Sequence, residues 1–536
     1  MDSAMKKIGK ILPYTVLGGI LLLLVLLNAF YQLHWLDSDM AAEMMFSKLL
    51  AETNHVFATP DWYYSTEFRF LYTQLIMAPL FKIMDNWHII RMITNLVFYG
   101  LLLASYYYFM KPFRVKRSLV ILTSVLLFLP FSETMMTHVQ IGNTYMPHMI
   151  IVFLVFGMFL RLAAGNIRKA RRLEILCFYF ALAAICGISG VRYLFVLQCP
   201  LVLAAFLYVL KSDSFQTFRK EMTGENFGKI IGAEEFRYFV YSLLGILGSV
   251  VGYAVNVLYV SRKYVFQTYE STLFIPIYQG ELFDRLQNAL GCLLMLFGYI
   301  PERAVLSMRG IVTVCAFVLL GVFIWCTVKA RKDSDGRRSF TVLFLVTAFC
   351  LNMFVFVFTT STMVPRYYLT IFIFVLPVLC FYFEGKHPGF DKIAVAVLLV
   401  GCLLLGTAKV VLSFVTVDKN KNRYQVAAFL EENDYHFGFA TYTNGNIITE
   451  ITNGVVEIGN VNDPEHLDYF TWSSPMKYYE EDYCEGEVFL LLTKEEENTY
   501  ADAQALQIGE KVYDDGCFGV YVFDSVQQLR DCAEER

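Results

Sequence analysis

Four stretches of this chain, Ile11–Tyr31, Phe239–Val260, Ile311–Val328 and Ile393–Leu412, each run for about twenty residues with almost no charge. A helix of that length crosses a hydrocarbon layer of ~30 Å while satisfying its own backbone polar groups. A soluble fold would have to bury all of these runs and several shorter ones together. Only 17% of the residues are charged, against about 25% in a soluble domain. The chain is therefore expected to be an all-α polytopic membrane domain.

Eleven transmembrane helices are expected, at 11–31, 91–110, 118–131, 146–162, 173–189, 192–210, 238–260, 308–328, 340–358, 367–383 and 392–414. Lys6, Lys7 and Lys10 precede the first run, which is too long for a simple signal peptide and lacks a small-residue cleavage pattern; it reads as an uncleaved first helix. With the N-terminus inside, the inner connections carry 24 Lys+Arg in 75 residues and the outer loops 8 in 130. That asymmetry orients the chain with its N-terminus cytoplasmic. Two outer loops are long, 32–90 and 261–307, and the second contains the thirteen-residue apolar run Asn288–Ile300, too short to span.

Charge divides the chain again. Residues 1–417 carry 36 Lys+Arg and 23 Asp+Glu; residues 418–536 carry 8 and 25. The division expected is a membrane domain, 1–417, and a small, acidic, extracytoplasmic α/β domain, 418–536. In the tail, helices are expected at Tyr424–Glu432 and Lys494–Ala505, and strands at His436–Tyr442, Val455–Val461, Glu487–Thr493 and Gly519–Phe523. Asn444-Gly445 and Asn453-Gly454 carry turn chemistry. Nine of the twelve cysteines lie in or beside apolar segments; Cys484, Cys517 and Cys532 in the tail allow one disulfide at most.

Three clusters could carry chemistry. The first follows the first span: His34-Trp35-Leu36-Asp37-Ser38-Asp39, with Glu43 one helical turn beyond Asp39. The bland alternative is a helix cap at Asp39 and a solvated Asp37. The second is Phe131-Ser132-Glu133-Thr134 with His138, Gln140, Asn143, Tyr145 and His148, in a loop without Lys or Arg; Glu133 could equally be a solvated turn residue. The third is Pro365-Arg366-Tyr367, where a guanidinium could meet a phosphate or simply anchor at the interface. Trp62-Tyr63-Tyr64 with Glu67 and Arg69 could stack on a sugar or belong to an aromatic belt. No P-loop, dinucleotide fingerprint, Cys-x-x-Cys or His-Glu-x-x-His occurs, so ATP-driven cytosolic chemistry has no visible seat.

Over roughly residues 1–415 the chain resembles the GT-C class of polyprenyl-phosphate-sugar-dependent glycosyltransferases, in particular the protein O-mannosyltransferase and lipid A aminoarabinose transferase branch. The resemblance rests on the N-in first helix, the acids Asp37, Asp39 and Glu43 in a long first outer loop, and Ser65-Thr66-Glu67-Phe68-Arg69 to Pro79-Leu80. Glu133 after the third span and the late Arg366-Tyr367 complete the pattern. It implies a lipid-phosphate sugar donor and transfer on the outer face to a glycan, lipid or protein acceptor. Asp39 would be general base, and Asp37 and Glu133 would orient the acceptor or hold a divalent cation. Glu43, Glu67, Arg69, His138, Asn143, Arg366 and Tyr367 would line the substrate site, with Arg366 toward the phosphate. Those families usually show adjacent Asp-Glu, whereas Met40 follows Asp39 here, leaving open which acid acts. No nucleic-acid partner is expected. A multi-pass transporter or flippase is the competing class, disfavoured by the lack of an internal repeat and by ionisable residues gathering at the outer interface.

Overall fold

The structure is a computed structural model and describes residues 2–165, 168–267, 272–276, 280–333 and 336–533. Residues 166–167, 268–271, 277–279 and 334–335, in three of the expected loops, lie outside the described residues. The chain is mostly helical and is a multi-pass membrane protein. Among the described residues, seven helices are long and apolar enough to cross a membrane, or up to ten if each of three bent pairs is one span. Helices occupy all eleven expected positions. The expected spans 118–131 and 192–210 are each one arm of a bent pair, Arg117–Phe128 with Glu133–Ile141 at 91° and Leu194–Leu210 with Asp213–Lys220 at 59°, and 367–383 contains the 42° bend between Pro365–Phe372 and Val375–Glu384. The remaining one, Lys169–Ile188, carries Lys169, Arg171, Arg172 and Glu174 in its first six residues. Asn288–Ile300 falls within and just after a non-spanning helix, Leu282–Leu296.

Packing divides the chain into two units. The first comprises Met1–Val25, Val97–Leu258 and Glu270–Ser413; the second comprises Leu26–Leu96, Tyr259–Tyr269 and Phe414–Arg536. Drawn this way, the boundary differs from the one expected at 417/418, because parts of both long loops pack with the tail.

The first unit explains much of the chain's aromatic content. Phe109, Phe153, Phe156, Phe344 and Phe374 are buried and meet at ring separations of 4.6–5.7 Å. Its helices Lys169–Ile188 and Glu234–Val255 cross almost backbone to backbone. A Cβ on Gly187 would stand 1.9 Å from the Ser249 carbonyl oxygen, and one on Gly252 would stand 1.8 Å from that of Ala184. Gly187 is thus a packing glycine, as small residues are between membrane helices. Gly190 is not: it has φ +116° and open space around it, and it ends a helix.

Among the described residues, the second unit contains nine strands. β1 (Trp62–Tyr64) and β2 (Val265–Phe266) come from the two loops; β3 (Phe437–Thr441), β4 (Glu457–Asp463), β5 (Asp468–Tyr469), β6 (Ser474–Pro475), β7 (Val488–Thr493), β8 (Glu510–Asp514) and β9 (Phe518–Phe523) come from the tail. β1 pairs parallel with β2 and antiparallel with β6, joining three segments distant in sequence. The other six form one sheet in the order β5-β4-β3-β7-β9-β8, with β4, β3 and β7 parallel. The tail is the small α/β fold expected. Its core holds Val426, Leu430, Ile448, Ile458, Phe489, Leu491 and Val520.

Two tail expectations are corrected. Asn444 and Gly445 lie inside a helix, Tyr442–Ile451, and do not form a turn. The glycine is needed for close approach: a Cβ there would stand 2.8 Å from Asn460 Oδ1 and 2.9 Å from Ile458 on β4. Asn453 and Gly454 do turn, with φ +54° and +78°. The expected helix Lys494–Ala505 is two short ones, Lys494–Thr499 and Gln504–Ile508. All twelve cysteines are free, so the tail has no disulfide.

Candidate functional site

Asp37 and Asp39 have different tasks. Asp37 is the N-cap of the helix Ser38–Glu52: its backbone is extended and its Oδ1 accepts the Met40 N–H at 2.9 Å. That bond satisfies one of the amide donors that every helix start leaves over. The cap is therefore Asp37, not Asp39. Asp39, in the first turn, is half-buried, and its Oδ1 accepts the Tyr442 hydroxyl at 3.0 Å. Burial of that hydroxyl, together with the Asp39 carboxylate, pushes the Tyr442 phenol well above its ordinary range. Tyr442 is thus a fixed hydrogen-bond donor to Asp39.

One turn further, Glu43 is 6% exposed. Arg69 Nη1 donates to its Oε1 at 2.9 Å and Thr73 Oγ1 donates to its Oε2 at 3.1 Å. Burial raises the Glu43 carboxyl to about 7, with Arg69 and Arg91 pulling the other way. Although burial works against its charge, Arg69 is held firmly protonated by Tyr72, Glu43, Glu67 and Asp39, and its guanidinium lies over the Tyr72 ring at 4.8 Å. Asp39, Glu43, Glu67 and Arg69 are thus one electrostatic cluster. Sequence reading singled out these four; it missed Tyr72, Thr73 and Tyr442.

The peptide leading into the acids is clamped from the tail side. Asn420 is 1% exposed and donates to the carbonyls of Leu33 (2.7 Å) and Leu36 (3.1 Å). The Trp35 indole N–H donates to the Val417 carbonyl at 3.1 Å, and Lys419 Nζ sits 3.6 Å from the Trp35 ring centroid. Leu36 and Met40 pack on Ile447 of the helix Tyr442–Ile451. At the far end of that helix Glu450 takes a two-pronged ion pair from Arg91, Nε to Oε1 at 2.8 Å and Nη2 to Oε2 at 2.6 Å. The side chains are 0% and 1% exposed, and the same Nη2 donates to the Met40 carbonyl at 2.9 Å. One tail helix thus touches the acidic motif at both ends.

Trp62 and Tyr64 are not available to stack on a sugar. Both are buried, against Phe46 and Phe266, and the Tyr64 hydroxyl is bonded to the Thr59 backbone.

The remaining expected site residues belong to the first unit. Glu133 is exposed, in a one-turn helix capped by Ser132, and lines a cleft with Tyr299 and Lys409. His138 Nδ1 meets Thr144 Oγ1 at 3.1 Å. Asn143 is fully buried with φ +60°. Tyr367 stacks on Phe356 at 6.0 Å and lies under the Arg192 guanidinium at 5.4 Å; Arg192 in turn donates to the Tyr145 hydroxyl at 2.6 Å. Arg366, beside Tyr367 on the short helix Pro365–Tyr368, is half-buried. Arg192 was not singled out from sequence, although an arginine at the start of an apolar run is such a signal. Arg285 caps a helix end: it donates to the carbonyls of Phe356 (3.1 Å), Ser361 (3.0 Å) and Thr359. Asp463, Glu465 and His466 at the end of β4 could together hold a metal ion. The turn is also satisfied internally: against its partial burial, bonds from His466 and two backbone amides hold Asp463 below the ordinary carboxylate value.

No protein-family model and no curated protein matches the sequence. Solved structures do. A crystal structure of ArnT from Cupriavidus metallidurans in the apo state aligns with 98% of this chain and 99% of its own, with TM-score 0.50 and 9% identity. A second, of the same protein bound to undecaprenyl phosphate, aligns with 97% and 99%, TM-score 0.50 and 11% identity. The oligosaccharyltransferase of Archaeoglobus fulgidus matches over 90% of this chain and 69% of its own, with TM-score 0.47 and 12% identity. The chain thus has the fold of the aminoarabinose transferase ArnT, the GT-C architecture implied by its sequence resemblance.

Proposed function

We propose that this GT-C-fold chain is a membrane glycosyltransferase that moves a sugar from a polyprenyl-phosphate donor to an acceptor on the outer face of the membrane. The observation that carries this reading is the division of labour between the two aspartates. Asp37 is engaged in capping a helix, whereas Asp39 is held by a side chain from the tail and lies in a cluster with Glu43, Glu67 and Arg69. The fold supports it, and so does the lipid phosphate bound by one protein of that fold. The excess of Lys+Arg in alternate loops supports a cytoplasmic N-terminus and a tail outside.

In this mechanism Asp39 accepts the proton of the acceptor hydroxyl as its oxygen attacks the anomeric carbon. The bond from that carbon to the phosphate oxygen breaks, polyprenyl phosphate departs with the electron pair, and the anomeric configuration inverts. Arg366 and Arg192 are the candidates to meet the phosphate, where a planar fork of donors suits three oxygens. Fixed donors in a poorly hydrated site stabilise charge that develops on the leaving group. Glu43 and Arg69 order the acceptor side, and Glu133, in the first unit, is the further acid that the sequence resemblance implies.

The test is Asp39→Asn in the native host, followed by mass spectrometry of envelope glycans. Loss of a general base is expected to lower product by roughly 100- to 10,000-fold. Normal glycans at normal protein level would remove Asp39 from the mechanism. Substrate uptake that is lost on deleting the chain but kept in Asp39→Asn would point to a transporter.

A further inference from the structure

We infer that Tyr442 is a positioning residue for Asp39, and that the tail supplies part of the reaction centre through the carboxyl edge of its sheet. The inference rests on the assignment of Asp39 as the base. Its own ground is the placement of Tyr442 in the tail fold. Tyr442 is the first residue after β3 and opens the helix Tyr442–Ile451. From β3 the chain passes to β4 on one side, while β7 pairs parallel with β3 on the other. In open α/β sheets, the carboxyl end of the strand where the chain switches direction is where such folds present groups to a ligand. Here that edge presents a hydroxyl to an acid 403 positions earlier in the chain, at 3.0 Å.

Three features hold Tyr442 there. Phe470, between β5 and β6, meets its ring edge-on at 5.1 Å. Two positions after Tyr442, Asn444 Oδ1 accepts from Arg423 at 2.8 Å, and Arg423 also donates to Asn420 Oδ1, the residue that clamps Leu33 and Leu36. The Arg91–Glu450 pair fixes the other end of the helix. A carboxylate that must receive a proton along a defined line gains from a donor that fixes its rotamer. A misplacement of about 1 Å in such a site can cost ~100-fold in rate. Tyr442 acts on Asp39 and not on the reacting atoms.

The experiment uses the full chain. Infrared spectra of the purified protein in detergent identify the Asp39 carboxylate stretch as the band absent from Asp39→Asn. In Tyr442→Phe that band is expected to shift in frequency, because the carboxylate has lost a donor. In the host, the same variant is expected to lower envelope glycan product by about 10- to 100-fold, with an unchanged unfolding midpoint. An unmoved band, or full product from Tyr442→Phe, overturns the inference. Normal product from Asp39→Asn instead sinks the function, whatever the Tyr442 band does. If Tyr442→Phe accumulates poorly, Tyr442→His, which keeps a ring and a donor, is compared with Tyr442→Leu on product per folded protein. Higher product from His is expected; equal product overturns the inference.

Discussion

Glu43 is the residue at which pH should be felt most directly. Burial raises its carboxyl from 4.5 to about 7, so between these values the folded protein holds a proton there that the unfolded chain releases. Its contribution to stability therefore falls as pH rises through that window, with a slope of up to about 1.4 kcal/mol per pH unit. Thermal unfolding of the purified chain from pH 4.5 to 7.5, compared with Glu43→Gln, measures it. The wild type should lose ground relative to the variant as pH rises, and parallel curves would contradict the assignment. At this scale the sequence was half informative. Asp37, Asp39 and Glu43 stood out because acids cluster where a spanning helix ends. Their separate tasks did not, since a cap and a candidate base look alike until backbone angles and partners are known. Tyr442 was invisible for another reason: one tyrosine among thirty-four carries no local signal.

Among the elements, the helix Tyr442–Ile451 shows how far local pattern reaches. Its Asn444-Gly445 pair has turn chemistry, yet packing against Ile458 and Asn460 calls for a glycine within a helix. Strand β8 went unread because its residues are exposed or half-buried and give no apolar alternation. By contrast β3, β7 and β9, near-continuous apolar runs, were legible. The ion pair at the end of this helix makes a firm prediction. Glu450→Gln leaves the Arg91 guanidinium buried without its counter-charge, which should cost about 3–5 kcal/mol. Replacing both partners, Arg91→Met with Glu450→Leu, should recover most of that loss, since apolar side chains need no compensating charge. Unfolding midpoints of the single and double variants decide it; a double variant no better than the single would show that the pair is not an isolated unit.

At the scale of the whole molecule, hydropathy revealed the membrane helices, and charge marked off the tail. What neither revealed is that Leu26–Leu96 and Tyr259–Tyr269 pack with that tail. The reason is that β1, β2 and β6 are two or three residues long and pair only across large sequence distances. A chain ending at Val417 would lose β6, Tyr442 and Glu450 together. Trypsin should then cut it at Lys48 and Arg69 faster than it cuts the full chain there, while the helices of the first unit resist. Equal protection at both sites in the two forms would show that the first loop folds without the tail.

The 403 positions between Asp39 and Tyr442 also have a meaning in time. At about 5–20 residues per second, a ribosome needs roughly 20–80 s after making the acid to make the hydroxyl that holds it. For that interval the nascent protein has Asp39 without the hydroxyl that bonds to it. A chain whose synthesis stalls in the last membrane helix would hold the acid of this pair but not its hydroxyl. The Asp39–Tyr442 bond is thus a contact that forms only once the tail has been made.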